Sequence, residues 1–381
     1  MIFVGWGAAL GGIYRRLTEE TREDDSIERI GRRRFLLRLG GATAAVTVFG
    51  GLVGAMVGKR SGATAAGEKW SAGHALPNAD ASVKPVPGTR PELTPLEQHY
   101  RIDINTMAPV IDENSWRLKI GGLVEEPRQM TLEQIRAYEP MHQFITLECI
   151  SNPIPGDLIS TTRWTGASMQ KILPDLGLKP AATHLRITSA DGFFEVVALA
   201  TIKNDPRVMV CYAWDGVPLP IQHGFPLRIY VPDVYGMKQP KWIDSIEATD
   251  HWEPGYWVRR GWSAQAQMDT TSIIDTIAVD EKMISANGQT LVPIGGIAFA
   301  GARGISRVEV QIDDGEWREA RLRTPLSGKT WVIWRYEMPF QPGEHVLTVR
   351  CYDGNGAMQV VEPAPPHPDG ATGLHRRSAT L

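Results

Sequence analysis

Phe144-Ile145-Thr146-Leu147-Glu148-Cys149 reads as an apolar strand that ends on a thiol, and Ile150-Ser151-Asn152-Pro153 continues it into an irregular stretch rich in Pro and Gly. A cysteine at a strand end is placed to present a thiolate to a cavity. A buried structural cysteine is the plainer alternative, because free Cys behaves as a small hydrophobe, and spacing leaves both open. From Tyr100 to about Trp262 further strand-like runs surround this one: Trp116 to Ile120, Leu185 to Ser189, Val208 to Tyr212 and Leu227 to Val231. Thr131-Leu132-Glu133-Gln134 has the capping-box pattern of a short helix, and Ala167 to Leu176 carries apolar residues at helical spacing. These signals predict a mixed α+β domain over residues 97–264. A βαβ unit with a Gly-rich first turn is missing, so a dinucleotide-binding sheet is disfavoured.

From about Ile273 onward, alternation replaces helical spacing. Val308, Val310 and Ile312 alternate with Glu309 and Gln311, Asp313-Asp314-Gly315 supplies a hairpin turn into Trp317, and Val346 to Tyr352 forms another strand. Short strands at this density predict an immunoglobulin-like β-sandwich over residues 270–362, with 363–381 as a tail along the surface. Residues 66–96, rich in Gly, Ala, Ser and Pro, read as a linker, with folding beginning near Leu96.

The chain has 381 residues, enough for two or three domains, with 43% hydrophobic and 22% charged residues, which excludes wholesale disorder and a polytopic membrane protein. A net charge of −3 leaves no basic surplus for phosphates, so nucleic acid is not an expected partner. The basic residues gather at the front: Arg32-Arg33-Arg34-Phe35-Leu36-Leu37 precedes an uncharged run from Leu39 to Gly58. Residues 1–65 therefore read as a twin-arginine export signal or membrane segment, with residues 36–58 the possible anchor and Ala63-Thr64-Ala65 a small-residue cleavage site. Everything downstream is expected outside the cytoplasm, in the periplasm or on the outer face of the membrane. Three cysteines, Cys149, Cys211 and Cys351, are too few and too far apart for a disulfide framework. Cys211 and Cys351 sit in apolar strands and read as core.

A second cluster is polar. His223-Gly224-Phe225-Pro226-Leu227-Arg228, followed by Tyr235-Gly236-Met237-Lys238-Gln239-Pro240-Lys241-Trp242, offers an imidazole, a guanidinium and two ammonium groups around Gly and Pro turns. Such an array suits a buried, multiply charged anion, and unrelated surface charges are the alternative. Taken in order, Leu147-Glu148-Cys149-Ile150-Ser151-Asn152, Arg163-Trp164-Thr165-Gly166, Tyr212 to Pro220, His223 to Arg228 and Lys241-Trp242 resemble the sulfite-oxidase family of molybdenum-cofactor oxidoreductases, over about residues 97–362.

The resemblance implies a molybdenum-molybdopterin cofactor, with Cys149 as the thiolate ligand of the metal and Tyr212 as the active-site phenol. It assigns Asn105, Asp191, His223, Arg228, Lys238, Gln239 and Lys241 to cofactor binding. It also implies a C-terminal dimerisation domain, hence a possible homodimer, and two-electron oxygen-atom transfer on a small oxyanion or sulfoxide. The alternatives are a sulfoxide or N-oxide reductase, a cofactor-free extracytoplasmic binding module, or an assembly scaffold. No C-x-x-C-H haem attachment motif occurs, so a c-type cytochrome or membrane haem protein is the expected electron partner. Two family arginines are replaced: Ile154-Pro155-Gly156-Asp157 stands where one is expected, and Asp103 or Ile104 where the other is. That exchange weakens the case for a dianion such as sulfite unless Lys238, Arg259 or Arg260 faces the cavity.

Overall fold

In the computed structural model, which describes residues 68–381, strands with period-two burial carry most of the architecture. The expected export segment, residues 1–65, lies outside the described residues. No helix among the described residues is long and apolar enough to cross a membrane.

The first domain is α+β and holds two five-stranded sheets. One runs Arg128–Met130, Leu118–Gly122, Ile243–Thr249, His184–Ser189, Phe194–Ala198, with its only parallel pair between Leu118–Gly122 and Ile243–Thr249. The other runs Pro140–Glu148, Ile159–Ser168, Met209–Trp214, Val217–Pro218, with Arg228–Tyr230 also pairing to Met209–Trp214. Thr131 and Gln134 complete the reciprocal capping box of the helix Leu132–Arg136. The helical spacing from Ala167 is only partly realised: Ala167 and Ser168 finish the long strand Ile159–Ser168, and the helix begins at Met169. Ladder bonds to Met209 and Val210 outweigh the local preference there.

The second sheet is apolar on both faces. Val210 and Tyr212 face a core shared with Leu118, Ile120, Ile187 and Ile246. Met209, Cys211 and Trp214 face a second core with Ile145, Leu147, Trp164 and Tyr230. A register shift between Thr165 and Gly166 interrupts the alternation near the strand's end.

The second domain is a β-sandwich. One sheet contains Thr271–Ile277, Thr290–Phe299, Val332–Pro339 and Arg321–Leu322, and the other Arg318–Glu319, Ile305–Ile312, Glu344–Asp353 and His375–Thr380. Asp313 and Asp314 both take positive φ in the expected turn. Cys351 is buried in the core between the sheets with Val308, Val310, Trp334 and Leu347.

Two boundaries need correction. The tail 363–381 is not a surface run: His375–Thr380 is an edge strand paired along Glu344–Asp353, and the buried His375 accepts the Ile274 N–H at Nδ1. Its cue was hidden because Arg376 and Arg377 interrupt the apolar pattern of an edge strand. The linker 66–96 is, over its described part, an ordered strap. Trp70 and Ser71 hydrogen-bond Asp215. Val86 is buried. Glu92 forms a two-pronged pair with Arg323 (2.9 and 3.1 Å), whose guanidinium also donates to Asn78 and Val83 carbonyls. Polar composition was misleading because a few buried anchors, rather than periodicity, fix this stretch.

Breaking a buried, hydrogen-bonded ion pair leaves one charge uncompensated, so Glu92→Gln should lower unfolding free energy by about 3 kcal/mol in denaturant titration. A variant as stable as wild type would show the strap to be loosely held. Burial, aided by Arg377 and Arg90, holds the His375 pKa down at about 4. Below the ordinary imidazole value the unfolded chain takes up a proton that the folded chain refuses, so stability falls as pH drops toward 4. The stability gap between wild type and His375→Gln, read from denaturant midpoints, should narrow over that window.

Candidate functional site

The strand Pro140–Glu148 delivers Cys149 to a cavity enclosing about 840 Å³, open solvent at its mouth included. The loop behind the cysteine is pinned rather than free. Asn152 donates to the Glu148 carboxylate at 2.9 Å and accepts the Leu158 N–H at 2.9 Å, while Cys149 N–H bonds the Leu158 carbonyl. Glu148 is buried, which pushes its pKa up to about 7. Cys149 Sγ lies 3.0 Å from Ser151 Oγ, and burial raises its thiol above the ordinary range. Burial outweighs the Ser151 hydrogen bonds and the Lys241 charge, so Cys149 is a protonated thiol; metal coordination would ionise it.

His223, Arg228, Gln239, Lys241 and Asp191 line the same cavity. His223 closes a short 3-10 turn, and Gly224 after it has φ 116°. A Cβ on Gly224 would lie 3.2 Å from the Cβ atoms of both Arg228 and Lys241, so glycine lets the two cationic segments converge. Arg228 is 3% exposed, with its guanidinium carbon 4.7 and 4.9 Å from the ring centroids of Trp164 and Trp214. Its Nη1 donates to the His223 carbonyl at 3.0 Å and its Nε has no partner. Burial brings its pKa down to about 10 and that of Lys241 down to about 8. Burial, then Arg228 and Lys241, hold His223 near 3, so its imidazole is neutral. Gln239 is fixed through its amide nitrogen to the Val231 and Val234 carbonyls, leaving Oε1 unpaired.

Three expected positions sit off the wall. Tyr212 does not line the cavity. It lies on the opposite face of its strand from Cys211, in the core with Ile120 and Val210, under the guanidinium of Arg136. Period two decides this, since neighbouring residues on a strand point to opposite faces. Lys238 is buried outside the cavity wall and pairs with Glu195 at 3.2 Å, which neutralises it. Asn105 is exposed at the rim and donates to the Asp191 carbonyl at 3.1 Å. Asp191 does line the wall, where it accepts the Phe193 N–H. Arg259 and Arg260 are also off the wall, tied to Glu253 and Pro254, and to Tyr256.

The wall includes residues the motifs did not single out: Tyr100, Ser189, Phe193, Trp257 and Trp262. Asp103, noted only as a lost arginine, lines it too and pairs with the Lys241 ammonium and with Arg101. Trp257 and Trp262 could have been suspected as aromatics in a Gly/Pro loop. Tyr100 and Asp103 precede the first strand and carry no periodic signal.

These residues fit a molybdopterin. Arg228 Nε, Gln239 Oε1 and Ser189 Oγ are buried polar atoms without partners, as a hydrogen-bonding guest requires. Arg228 and Lys241 suit a phosphate, and a single thiolate suits a soft metal whose other ligands belong to its cofactor. Among the described residues no group of three or more His, Cys, Asp or Glu could hold a metal unaided.

Comparison with known proteins agrees. The oxidoreductase molybdopterin binding domain matches residues 105–257, and the Mo-co oxidoreductase dimerisation domain matches 262–364. Mitochondrial sulfite oxidase of Macaca fascicularis is 26% identical over 286 residues, 64% of this chain and 52% of that protein. A nitrate reductase [NADPH] of Fusarium oxysporum is 28% identical over 257 residues, 55% of this chain and 28% of that protein. The chain thus spans about half the length of the mitochondrial sulfite oxidases it matches. In fold, it resembles the sulfane dehydrogenase SoxCD of Paracoccus pantotrophus with a TM-score of 0.64 at 21% identity, covering 76% of this chain and 81% of that one. With two adjoining domains matched and the cavity built to suit their cofactor, the chain belongs to the sulfite-oxidase family of molybdopterin-dependent oxidoreductases.

Proposed function

We propose that the protein catalyses two-electron oxygen-atom transfer on a small oxyanion or sulfoxide, outside the cytoplasm, exchanging electrons with a separate haem protein. The observation that carries this reading is the convergence of Cys149, His223, Arg228 and Lys241 on one cavity. When bound, the cofactor supplies the redox chemistry and the oxygen-accepting metal. Cys149 would hold the metal, with Asn152 and Ser151 fixing the loop that presents it. Arg228 and Lys241 would hold the phosphate, while neutral His223 and the unpaired amide oxygen of Gln239 would be available to hydrogen-bonding groups of the pterin. Phe193, Trp257 and Trp262 narrow access and limit water.

Charge on the wall bears on the substrate. Arg228 and Lys241 are balanced by Asp103 and Asp191, and neither Lys238, Arg259 nor Arg260 adds a cation to the wall. With the phosphate engaging the two cations, little positive charge is left for a dianion, which favours a neutral S-oxide or N-oxide or a weakly charged oxyanion over sulfite. The arginine-rich front and the uncharged run 39–58 support export and anchoring of the chain. The matched dimerisation domain supports a homodimer.

Cys149→Ser, produced beside wild type in a host that makes the cofactor, should fold normally yet lose turnover. The test is metal analysis by mass spectrometry with two assays, viologen-driven sulfoxide reduction and cytochrome-c reduction by sulfite. Full turnover by Cys149→Ser with molybdenum present would remove Cys149 as the metal ligand, and wild type loaded in that host yet free of molybdenum would overturn the reading. Asp103→Asn, which frees Lys241 and removes a negative charge from the wall, should lower the inhibition constant for added sulfate by about tenfold, the effect of roughly 1.4 kcal/mol. An unchanged constant would show that Asp103 does not face the substrate.

A further inference from the structure

We infer that the phenol of Tyr100 donates a hydrogen bond to the reacting oxygen of the substrate beside Cys149. This rests on the oxygen-transfer reading above. Tyr100 lies before the matched segment 105–257 and reaches the cavity from the end of the N-terminal strap.

Tyr100 is the tyrosine of the cavity wall, where it stands with Cys149 and Arg228. Its N–H is anchored to Ser160 Oγ at 3.0 Å on the neighbouring strand. Its ring stacks beside His99 with centroids 5.6 Å apart, and His99 packs on Trp214 at 4.3 Å. The ring is therefore held from behind, and its hydroxyl is aimed by its frame. A Cβ built on Gly236 would come within 2.7 Å of the Tyr100 hydroxyl oxygen and 3.4 Å of the Glu148 carbonyl oxygen. The hydroxyl thus rests over a bare backbone position, against the strand end that leads into Cys149, and any side chain at 236 would displace it.

Among the described residues no protein group pairs with this hydroxyl, and it is not one of the fully enclosed unpaired atoms, so it keeps access to the space of the cavity. Burial raises its pKa well above the usual phenol value, so the phenol keeps its proton to donate. A donor fixed near the metal-ligand thiol and unsatisfied by protein has its partner in the guest. A hydrogen bond to the oxygen of an S-oxide would draw electron density from the S–O bond as it breaks, with the bound cofactor supplying the electron pair and taking the oxygen while the sulfide leaves; the proton stays on the phenol and no base is required. Tyr212, on the far face of its strand, cannot do this.

Tyr100→Phe and Tyr212→Phe in the full chain, produced in a cofactor-making host, separate the two. Metal content, dimethyl sulfoxide reduction by reduced viologen, sulfite oxidation with cytochrome c, and the paramagnetic resonance of the half-reduced metal are read together. Expected for Tyr100→Phe are full molybdenum, kcat/KM lowered about ten- to a hundredfold with the loss mainly in kcat, and an altered resonance. Tyr212→Phe should match wild type in all three. Unchanged kcat/KM and resonance in Tyr100→Phe overturn the inference, and so does loss of molybdenum from that variant, which would make Tyr100 a cofactor-retaining residue. If wild type carries the metal yet turns over neither probe, the resonance alone decides. A wild type without molybdenum fails the functional reading itself and is distinguished by its metal analysis.

Discussion

The site depends on a cation kept dry. Arg228 rests against Trp164 and Trp214, which touch each other in an apolar core, and is 3% exposed, so it has lost most of the water that would solvate it. Indole faces and the His223 carbonyl recover part of the lost solvation, and the unpaired Nε shows that recovery is incomplete. A protein keeps such an arrangement when a guest completes it. Here the guest must be anionic and must arrive through the cavity that Arg228 shares with Lys241 and Cys149. The short strand Arg228–Tyr230 aligns the guanidinium with the sheet, and Gly224 lets the Lys241 segment close over it.

The C-terminal sandwich also supports that cavity. The strand ending at Cys149 is hydrogen-bonded to the sandwich domain: Thr146 N–H to the Lys329 carbonyl, Trp331 N–H to Thr146 Oγ1, and Ser327 Oγ to the Phe144 carbonyl. Ile150, directly after the cysteine, is buried in a core with Ile273, Ile297, Phe299 and Trp331. The position of the thiol is therefore set by packing between domains as well as by its own strand. The strap adds a third constraint, since Arg90 pairs with Asp275 of the sandwich while Thr94 bonds Thr161 of the catalytic sheet. A perturbation within the sandwich can reach Cys149 through strand Pro140–Glu148 without touching the other residues of the cavity wall.

Legibility followed physical type. Strands with a repeating apolar face, and the capping box at Thr131, could be read directly, because periodicity and local hydrogen bonds are local properties. Cys149, His223, Arg228, Gln239 and Lys241 were legible through motif spacing, and they do meet. Tyr212 was misread because a motif gives a residue's position along the strand without its face, and one step along a strand reverses that face. Lys238 was misread because it closes a short turn and its partner, Glu195, lies 43 residues away on the strand Phe194–Ala198. Tyr100, Asp103 and the strap were hidden for a shared reason: their places are set by single long-range contacts to Ser160, Lys241 and Arg323.

Those hidden residues are also the ones that distinguish this cavity. Cys149, His223, Arg228 and Lys241 come from the strands and turns of the first domain, where the ladder and the cores fix their places. The segment entering from the strap, with Tyr100, Arg101 and Asp103, crosses the same wall from outside that framework. It brings a neutral donor and a carboxylate to a place where cations would favour a dianion. Arg101 is spent on Asp103, and Asp103 in turn occupies Lys241. The charge of the wall can therefore change through this one segment, while Cys149, His223 and Arg228 stay where the sheet and its turns put them. Cations left free on such a wall would attract a dianion as well as a phosphate, so pairing Lys241 with Asp103 limits how much positive charge the wall offers to any second anion.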